Sequence, residues 1–210
     1  MYTLYYAPGA ASLVVHWLLL EVGAEHALKK VDLQAGEQRS ADYLKLNPNG
    51  VVPTLIVDGA PVAECAALVL LLAERHPEAN LAPAPGSAQR ATYLQWILYL
   101  ANTLQPAFRT WFYPGEAAGE SHADLAKASA QARIEQVFAR LDAHLREHGP
   151  YFCGEQLTAL DFYATMLMRW SRNMPKPATE WPALTALAAR MKARPSFKHL
   201  YESEGLTEWA

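Results

Sequence analysis

The sequence predicts a protein of the α/β plus all-α class, in which a small α/β domain precedes a helical bundle. Its 210 residues suit two domains, since compact domains mostly span about 100–150 residues. Strand-like and helical segments alternate up to residue 77, whereas only helical periodicity follows residue 86. Pro77, Pro83 and Pro85 separate the two patterns and deny backbone donors to any continuing element. We therefore predict domains over residues 1–77 and 87–210, with a linker over residues 78–86.

The first domain follows the order β-α-β-(α)-β-β-α. A helical crossover between the first two strands makes them parallel. Asp58-Gly59 is a hairpin signal, which makes the last two strands antiparallel. Gly23 suits the end of the first helix, and Pro77 stops the last one. The predicted strands are residues 2–6, 28–33, 51–57 and a short one from 61, and the predicted helices are residues 12–22, 40–46 and 64–76.

The second domain carries only helical signals. Pro106 must kink or interrupt its first long helix. Thr158, followed three residues later by Asp161, is a capping-box variant that starts a later helix. The predicted helices are residues 87–113, 121–148, 158–172 and 182–194.

Composition excludes several function classes. Lys and Arg number 18 against 21 Asp and Glu, without a basic run, so the chain has little with which to neutralise nucleic-acid phosphates. The longest apolar run, residues 65–73, is far shorter than the roughly 20 residues of a membrane-spanning helix. The N-terminus lacks signal-peptide features, which predicts a cytoplasmic protein. Cys65 and Cys153 lack metal-ligand or dithiol spacing, so we expect reduced thiols and no metal.

A proline inside a strand-like segment is the most informative local feature. Pro53 has no backbone donor for a ladder, yet it follows Val51-Val52 and precedes Thr54-Leu55. A cis bond between Val52 and Pro53 would turn the N–H and C=O of Val52 outward, where an extended peptide-like ligand could pair with them. A trans proline on an edge strand remains the alternative.

Two helix starts carry further candidates. Glu64-Cys65 opens a helix, where unpaired N–H groups and the dipole favour a ligand carboxylate and Glu64 can accept an ammonium. An acid in a first helical turn can also be simple dipole complementarity. Ser12 opens the first helix, where a hydroxyl and a helix N-terminus together favour a thiolate. A serine there can equally be an N-cap.

Four segments taken in order carry a family resemblance: Tyr6-Ala7-Pro8-Gly9-Ala10-Ala11-Ser12-Leu13, Asn47-Pro48-Asn49-Gly50-Val51-Val52-Pro53-Thr54-Leu55, Glu64-Cys65, and Leu157-Thr158-Ala159-Leu160-Asp161. Together they resemble cytosolic glutathione S-transferases, with the closest similarity to the bacterial beta-type enzymes. The resemblance implies a thioredoxin-like N-terminal domain, a helical-bundle C-terminal domain, a homodimer, and glutathione as co-substrate without another cofactor.

The resemblance also implies roles for the residues of the first domain. Val52, with Pro53, pairs with the cysteinyl backbone of glutathione, while Glu64 and Cys65 hold its γ-glutamyl end. Gln38 and Arg39 are the only long polar donors in the loop expected to bind the glycyl carboxylate.

This sequence departs from the beta-type pattern at three positions. It has Ala11 where those enzymes usually place a cysteine, and Gln105 and Pro106 where a histidine and a lysine are common. We therefore expect Ser12 to activate the thiol, with Tyr6 as the second candidate.

The second substrate, a small hydrophobic electrophile, is expected in a pocket between the domains. Its candidate lining residues are Gln105, Arg109, Trp111, Tyr113 and Trp170, although aromatic residues at helical spacing are often ordinary core and an arginine stem can simply cover surface. The departures leave an alternative function open, namely a related binding or regulatory protein with little catalytic activity.

Overall fold

The computed structural model describes residues 1–209, which divide into two compact units. The first unit comprises Met1–Ala82 and the C-terminal segment from Lys192, and the second comprises Pro83–Met191. The sequence-based division placed all residues from 87 onward in the second domain. The C-terminal segment groups with the first unit because its last helix packs against the first helix of the chain.

The first unit is built on a four-stranded mixed sheet. Its elements are β1 (Tyr2–Tyr6), α1 (Ser12–Glu21), β2 (His26–Lys30), a 3-10 turn (Glu37–Arg39), α2 (Ala41–Leu44), β3 (Thr54–Val57), β4 (Ala60–Val62), α3 (Cys65–Arg75) and a second 3-10 turn (Pro77–Ala79). The strand order is β2-β1-β3-β4. Leu4 of β1 pairs with Leu28 of β2 in parallel, and Leu55 of β3 pairs with Val62 of β4 in antiparallel register, so both predicted directions are confirmed. The antiparallel pairing of Leu4 with Leu55, which joins β1 to β3, was not predicted.

The second unit is entirely helical in its regular structure, apart from two isolated bridges near residue 153. Its elements are α4 (Ala88–Tyr99), a π-helical turn (Leu100–Leu104), α5 (Gln105–Phe112), α6 (Pro114–Ala118), a 3-10 turn (Glu120–His122), α7 (Ala123–His148), α8 (Ala159–Trp170), a 3-10 turn (Ala178–Glu180) and α9 (Pro182–Lys192). The α/β plus all-α class is confirmed.

The interruption expected at Pro106 is confirmed as the π-helical turn that separates α4 from α5. Proline offers no N–H to the preceding turn, so the backbone there cannot keep a regular α-helical ladder. The capping box of Thr158 and Asp161 at the start of α8 is also confirmed.

Helix α10 (Pro195–Glu204) was not predicted. Pro195 was interpreted as the end of the preceding helix, but it occupies the first turn of a new one, where a missing N–H costs nothing. Within the first unit, Phe197 of α10 packs against the Trp17 ring, with the ring centroids 5.2 Å apart. Trp17 also donates to the Ser196 hydroxyl at 2.9 Å. This packing explains why α1 is apolar on nearly every side.

Among residues 1–209, no helix is both long and apolar enough to cross a membrane.

Candidate functional site

Ser12 is buried at the start of α1, and its hydroxyl is engaged inside the protein. The side chain is 0% exposed. Its Oγ donates to the carbonyl oxygen of Ala7 and accepts the N–H of the same residue, both at 3.1 Å. Ser12 is the first residue of the helix rather than its N-cap, which is Ala11. The expectation that Ser12 donates to a bound thiol does not fit this geometry, because its only proton is already used.

Tyr6, the second candidate, ends β1 and is partly exposed. No other residue of the described chain forms a hydrogen bond with its hydroxyl. Burial, together with the nearby Glu204 carboxylate, raises the pKa of Tyr6 above its ordinary value of 10.0. The phenol is therefore protonated at neutral pH and can donate a hydrogen bond.

The N-terminus of α1 supplies further donors. The helix has no side-chain cap, and the backbone N–H groups of Ala11 and Ser12 make no hydrogen bond within residues 1–209. Such groups at a helix start favour an anion.

Val52 presents its side chain to the core and leaves its backbone unpaired. The Val52–Pro53 peptide is cis rather than trans. The Val52 side chain is 8% exposed and belongs to a small cluster with Ala7, Val31 and Tyr43. Neither the N–H nor the C=O of Val52 forms a hydrogen bond with another group of residues 1–209. This peptide edge can therefore pair with an extended ligand.

Glu64 precedes α3 in an unusual backbone conformation. It is exposed, with φ of 71° and ψ of 109°. A positive φ is costly for a residue with a Cβ, and such strain concentrates at functional sites. The carboxylate does not cap α3. Its position thus favours a role in binding.

Cys65 does not offer its side chain to a ligand. It is 5% exposed, and its Sγ donates to the Ala11 carbonyl oxygen at 3.5 Å. The expected contact is therefore limited to the Cys65 backbone in the first turn of α3.

Gln38 and Arg39 differ in availability. The Gln38 amide is partly buried and donates to the Leu33 carbonyl oxygen at 3.4 Å. Arg39 is exposed, and its guanidinium has no partner among the described residues. The Arg39 side chain lies beside Gly50, on the loop that leads to Val52. Its Cγ is 3.8 Å from the position that a Cβ would occupy at residue 50. Arg39 is the better candidate of the two.

The candidates on α5 are already paired within the second unit. The Tyr163 hydroxyl donates to Gln105 Oε1. Arg109 forms two hydrogen bonds with the Glu116 carboxylate, at 2.8 and 2.7 Å, and lies over the Tyr113 ring. Arg109 is therefore already paired within the second unit, and its place in the lining of the electrophile pocket stays a prediction.

The two tryptophan candidates have different neighbours in the second unit. The Lys127 ammonium lies over the Trp111 ring, 4.7 Å from its centroid, so Trp111 faces α7. Trp170 instead packs edge-on against Phe108 and Phe112, with centroids 5.7 and 6.1 Å apart. Trp170 thus packs with Phe112, an aromatic residue that the sequence reasoning did not single out and that is 47% exposed.

Two family models match the chain. The one described as the N-terminal domain of glutathione S-transferase matches residues 1–74, and the one described as the C-terminal domain matches residues 102–204. The chain belongs to the glutathione S-transferase family. It is 30% identical over 206 residues to "Glutathione S-transferase GstA" of Escherichia coli O157:H7, covering 97% of this chain and 98% of that protein.

Solved structures agree with the family assignment. The chain is 30% identical to a bacterial beta class glutathione S-transferase of Sphingomonas chungbukensis, with a TM-score of 0.85 over 98% of this chain and 100% of that one. It is 31% identical to a sphingomonad glutathione S-transferase complexed with glutathione, with a TM-score of 0.86 over the same shares. This glutathione S-transferase thus has the expected thioredoxin-like N-terminal and helical C-terminal domains.

Proposed function

We propose that this glutathione S-transferase binds glutathione, stabilises its thiolate and transfers it to small hydrophobic electrophiles. The observation that carries the proposal is the unpaired backbone of Val52, in a chain whose relative is described as complexed with glutathione. A tripeptide with an extended backbone is the kind of ligand that such an edge recognises.

Each end of glutathione has a complementary group in the first unit. The Val52 N–H and C=O pair with the cysteinyl residue. The Glu64 carboxylate accepts the γ-glutamyl ammonium, while the N-terminus of α3 at Cys65 favours the γ-glutamyl carboxylate. The Arg39 guanidinium pairs with the glycyl carboxylate.

Tyr6 is the residue that activates the thiol, because the Ser12 hydroxyl already donates its proton to the Ala7 carbonyl oxygen. Lowering a thiol pKa from about 8.5 to about 6.5 requires about 2.7 kcal/mol of preferential thiolate stabilisation. A hydrogen bond to an anion contributes about 1.5–3 kcal/mol, and a helix N-terminus adds about 0.3–1 kcal/mol. The Tyr6 hydroxyl with the start of α1 is sufficient in magnitude.

The reaction then proceeds by displacement at an electrophilic carbon. The thiol proton leaves to solvent, the sulfur electron pair forms the new C–S bond, and with an aryl halide the carbon–halogen bond breaks to release halide. Tyr6 keeps its proton and donates a hydrogen bond to the sulfur. The electrophile site is expected to involve apolar side chains such as Trp170.

One observation favours the alternative of a binding or regulatory protein. The Ser12 hydroxyl is engaged internally and Ala11 replaces the beta-type cysteine, so thiol activation depends on fewer groups.

We also propose a cytoplasmic homodimer on the family resemblance, because closed twofold assemblies are the commonest soluble oligomers. Sedimentation as a monomer at micromolar concentration would exclude the dimer.

Calorimetric titration with glutathione, followed by conjugation of an activated aryl halide, tests the function. Binding together with conjugation supports the transferase. Binding without conjugation supports the alternative, and no binding rejects both.

A further inference from the structure

The carbonyl oxygen of Val51 is held from inside the protein by two donors. The Tyr43 hydroxyl donates to it at 2.8 Å, and Asn47 Nδ2 donates to it at 2.8 Å. Val51 itself is 42% exposed, so this exposed residue has a carbonyl fixed by two interior side chains.

Both donors are buried and constrained. Tyr43 and Asn47 are 4% and 1% exposed. The Tyr43 oxygen also lies 2.9 Å from Thr54 Oγ1, which must donate because the Tyr43 proton goes to Val51. Asn47 Oδ1 accepts the Asn49 N–H at 3.1 Å, which directs the Asn47 amide nitrogen toward Val51. Neither donor can turn away without leaving a buried polar group unpaired.

This arrangement fixes the direction of the Val52 N–H. The Val51 carbonyl and the Val52 N–H belong to one peptide unit, which is trans. In a planar trans peptide these two groups point in opposite directions. Holding the carbonyl inward therefore turns the Val52 N–H outward, where it is unpaired within the described chain.

We infer that Tyr43 and Asn47 are positioning residues, which preset the Val52 N–H for the cysteinyl carbonyl of glutathione. The inference rests on the proposed function and adds two residues that do not touch the ligand. If one of the two donors is removed, the Val51–Val52 peptide plane can change its orientation. Glutathione binding must then restrict that motion, which costs affinity.

Tyr43→Phe tests the inference, because it keeps the ring in the cluster with Val52 and removes one donor. We expect the dissociation constant and the KM for glutathione to rise about three- to tenfold. The kcat at saturating glutathione and the KM for the electrophile should stay within about twofold of wild type. Asn47→Asp, which replaces the donor with an acceptor of the same shape, should shift glutathione affinity in the same direction.

Tyr2→Phe is the matched control. It removes the hydroxyl of the first residue of β1, which lies 3.2 Å from His76 Nε2. Glutathione affinity should not change in this variant. If wild type binds glutathione and Tyr43→Phe binds it within twofold, the inference is overturned. An equal loss in kcat and in affinity for both substrates would also overturn it, since a general loss of structural order in the variant would produce that pattern. Failure of wild type to bind glutathione would instead reject the proposed function.

Discussion

The carboxylate of Glu204 accepts the backbone N–H of Gly9 at 2.9 Å. Its other oxygen lies 2.9 Å from Nδ1 of His16, and the His16 and Glu204 side chains are 1% and 0% exposed. Helix α10 therefore fixes the turn that leads from Tyr6 to the start of α1. The turn's geometry depends on a residue at the opposite end of the chain.

Replacing Glu204 should destabilise the fold far more than replacing its exposed neighbour. Glu204→Ala removes the buried carboxylate that contacts His16 and accepts the Gly9 N–H, so the free energy of unfolding should fall by about 3–5 kcal/mol. Glu202→Ala, on the exposed face of α10, should change it by less than about 0.5 kcal/mol. Chemical denaturation of both variants measures the difference, and equal losses would contradict the account.

The sequence predicts the elements whose signals are local. The alternation of strand-like and helical periodicity predicts the α/β plus all-α fold class. Asp58-Gly59 predicts the hairpin, and Pro106 predicts the break between α4 and α5. Helix α10 was missed because a proline can end one helix or begin another, and the local pattern does not distinguish these cases.

The candidate site could be predicted from the sequence only in part, for the same reason. Val52 and Glu64 stand out because a proline and a helix start mark them in the sequence. The internal role of Ser12 depends on how the Ala7 backbone is turned, and the role of Glu204 on a contact across 195 positions. Neither relationship leaves a periodic signal.

Glu64 should show separable effects on binding and on backbone strain. Both Glu64→Ala and Glu64→Gly should weaken glutathione binding by about 1.5–3 kcal/mol, because a charge-assisted hydrogen bond is lost. Glu64→Gly should be the more stable variant by about 1 kcal/mol, since glycine tolerates a positive φ. Calorimetry and denaturation measure the two effects. Unchanged affinity in both variants would remove the γ-glutamyl role.

Arg39 should matter only when the ligand carries its glycyl carboxylate. Arg39→Ala is expected to weaken glutathione binding about five- to tenfold by loss of an ion pair. Glutathione esterified at that carboxylate should bind wild type and variant equally. Arg75→Ala, which removes an arginine paired with Asp58 in the same unit, is the control and should leave affinity unchanged. A loss that persists with the ester would place Arg39 elsewhere.

His144 should make the fold sensitive to acid. It is half-buried, with Nε2 2.9 Å from the Phe152 carbonyl oxygen, and burial is the main cause that lowers the pKa of His144 below 6.5. The unfolded chain therefore binds a proton more readily than the folded one below about pH 6.5. The contribution of His144 to the free energy of unfolding should therefore rise with pH up to that value and then level off.

His144→Gln removes this component, so its free energy of unfolding should depend less on pH between about 5 and 7 than that of wild type. The exposed His199, changed to glutamine, serves as the control and should keep the wild-type slope. Denaturation at several pH values measures the slopes. An unaltered slope in His144→Gln would contradict the assignment.

The assignment of thiol activation to Tyr6 rather than Ser12 is tested most directly by titrating the thiolate absorbance of bound glutathione against pH. In wild type we expect a thiol pKa below the free value of about 8.5. Tyr6→Phe should raise it by at least about one pH unit and lower kcat/KM about tenfold or more. Ser12→Ala should leave the thiol pKa nearly unchanged while reducing stability by about 1–3 kcal/mol, because the Ala7 backbone loses its partner. An unchanged thiol pKa in Tyr6→Phe, or a large rise in Ser12→Ala, would contradict the account.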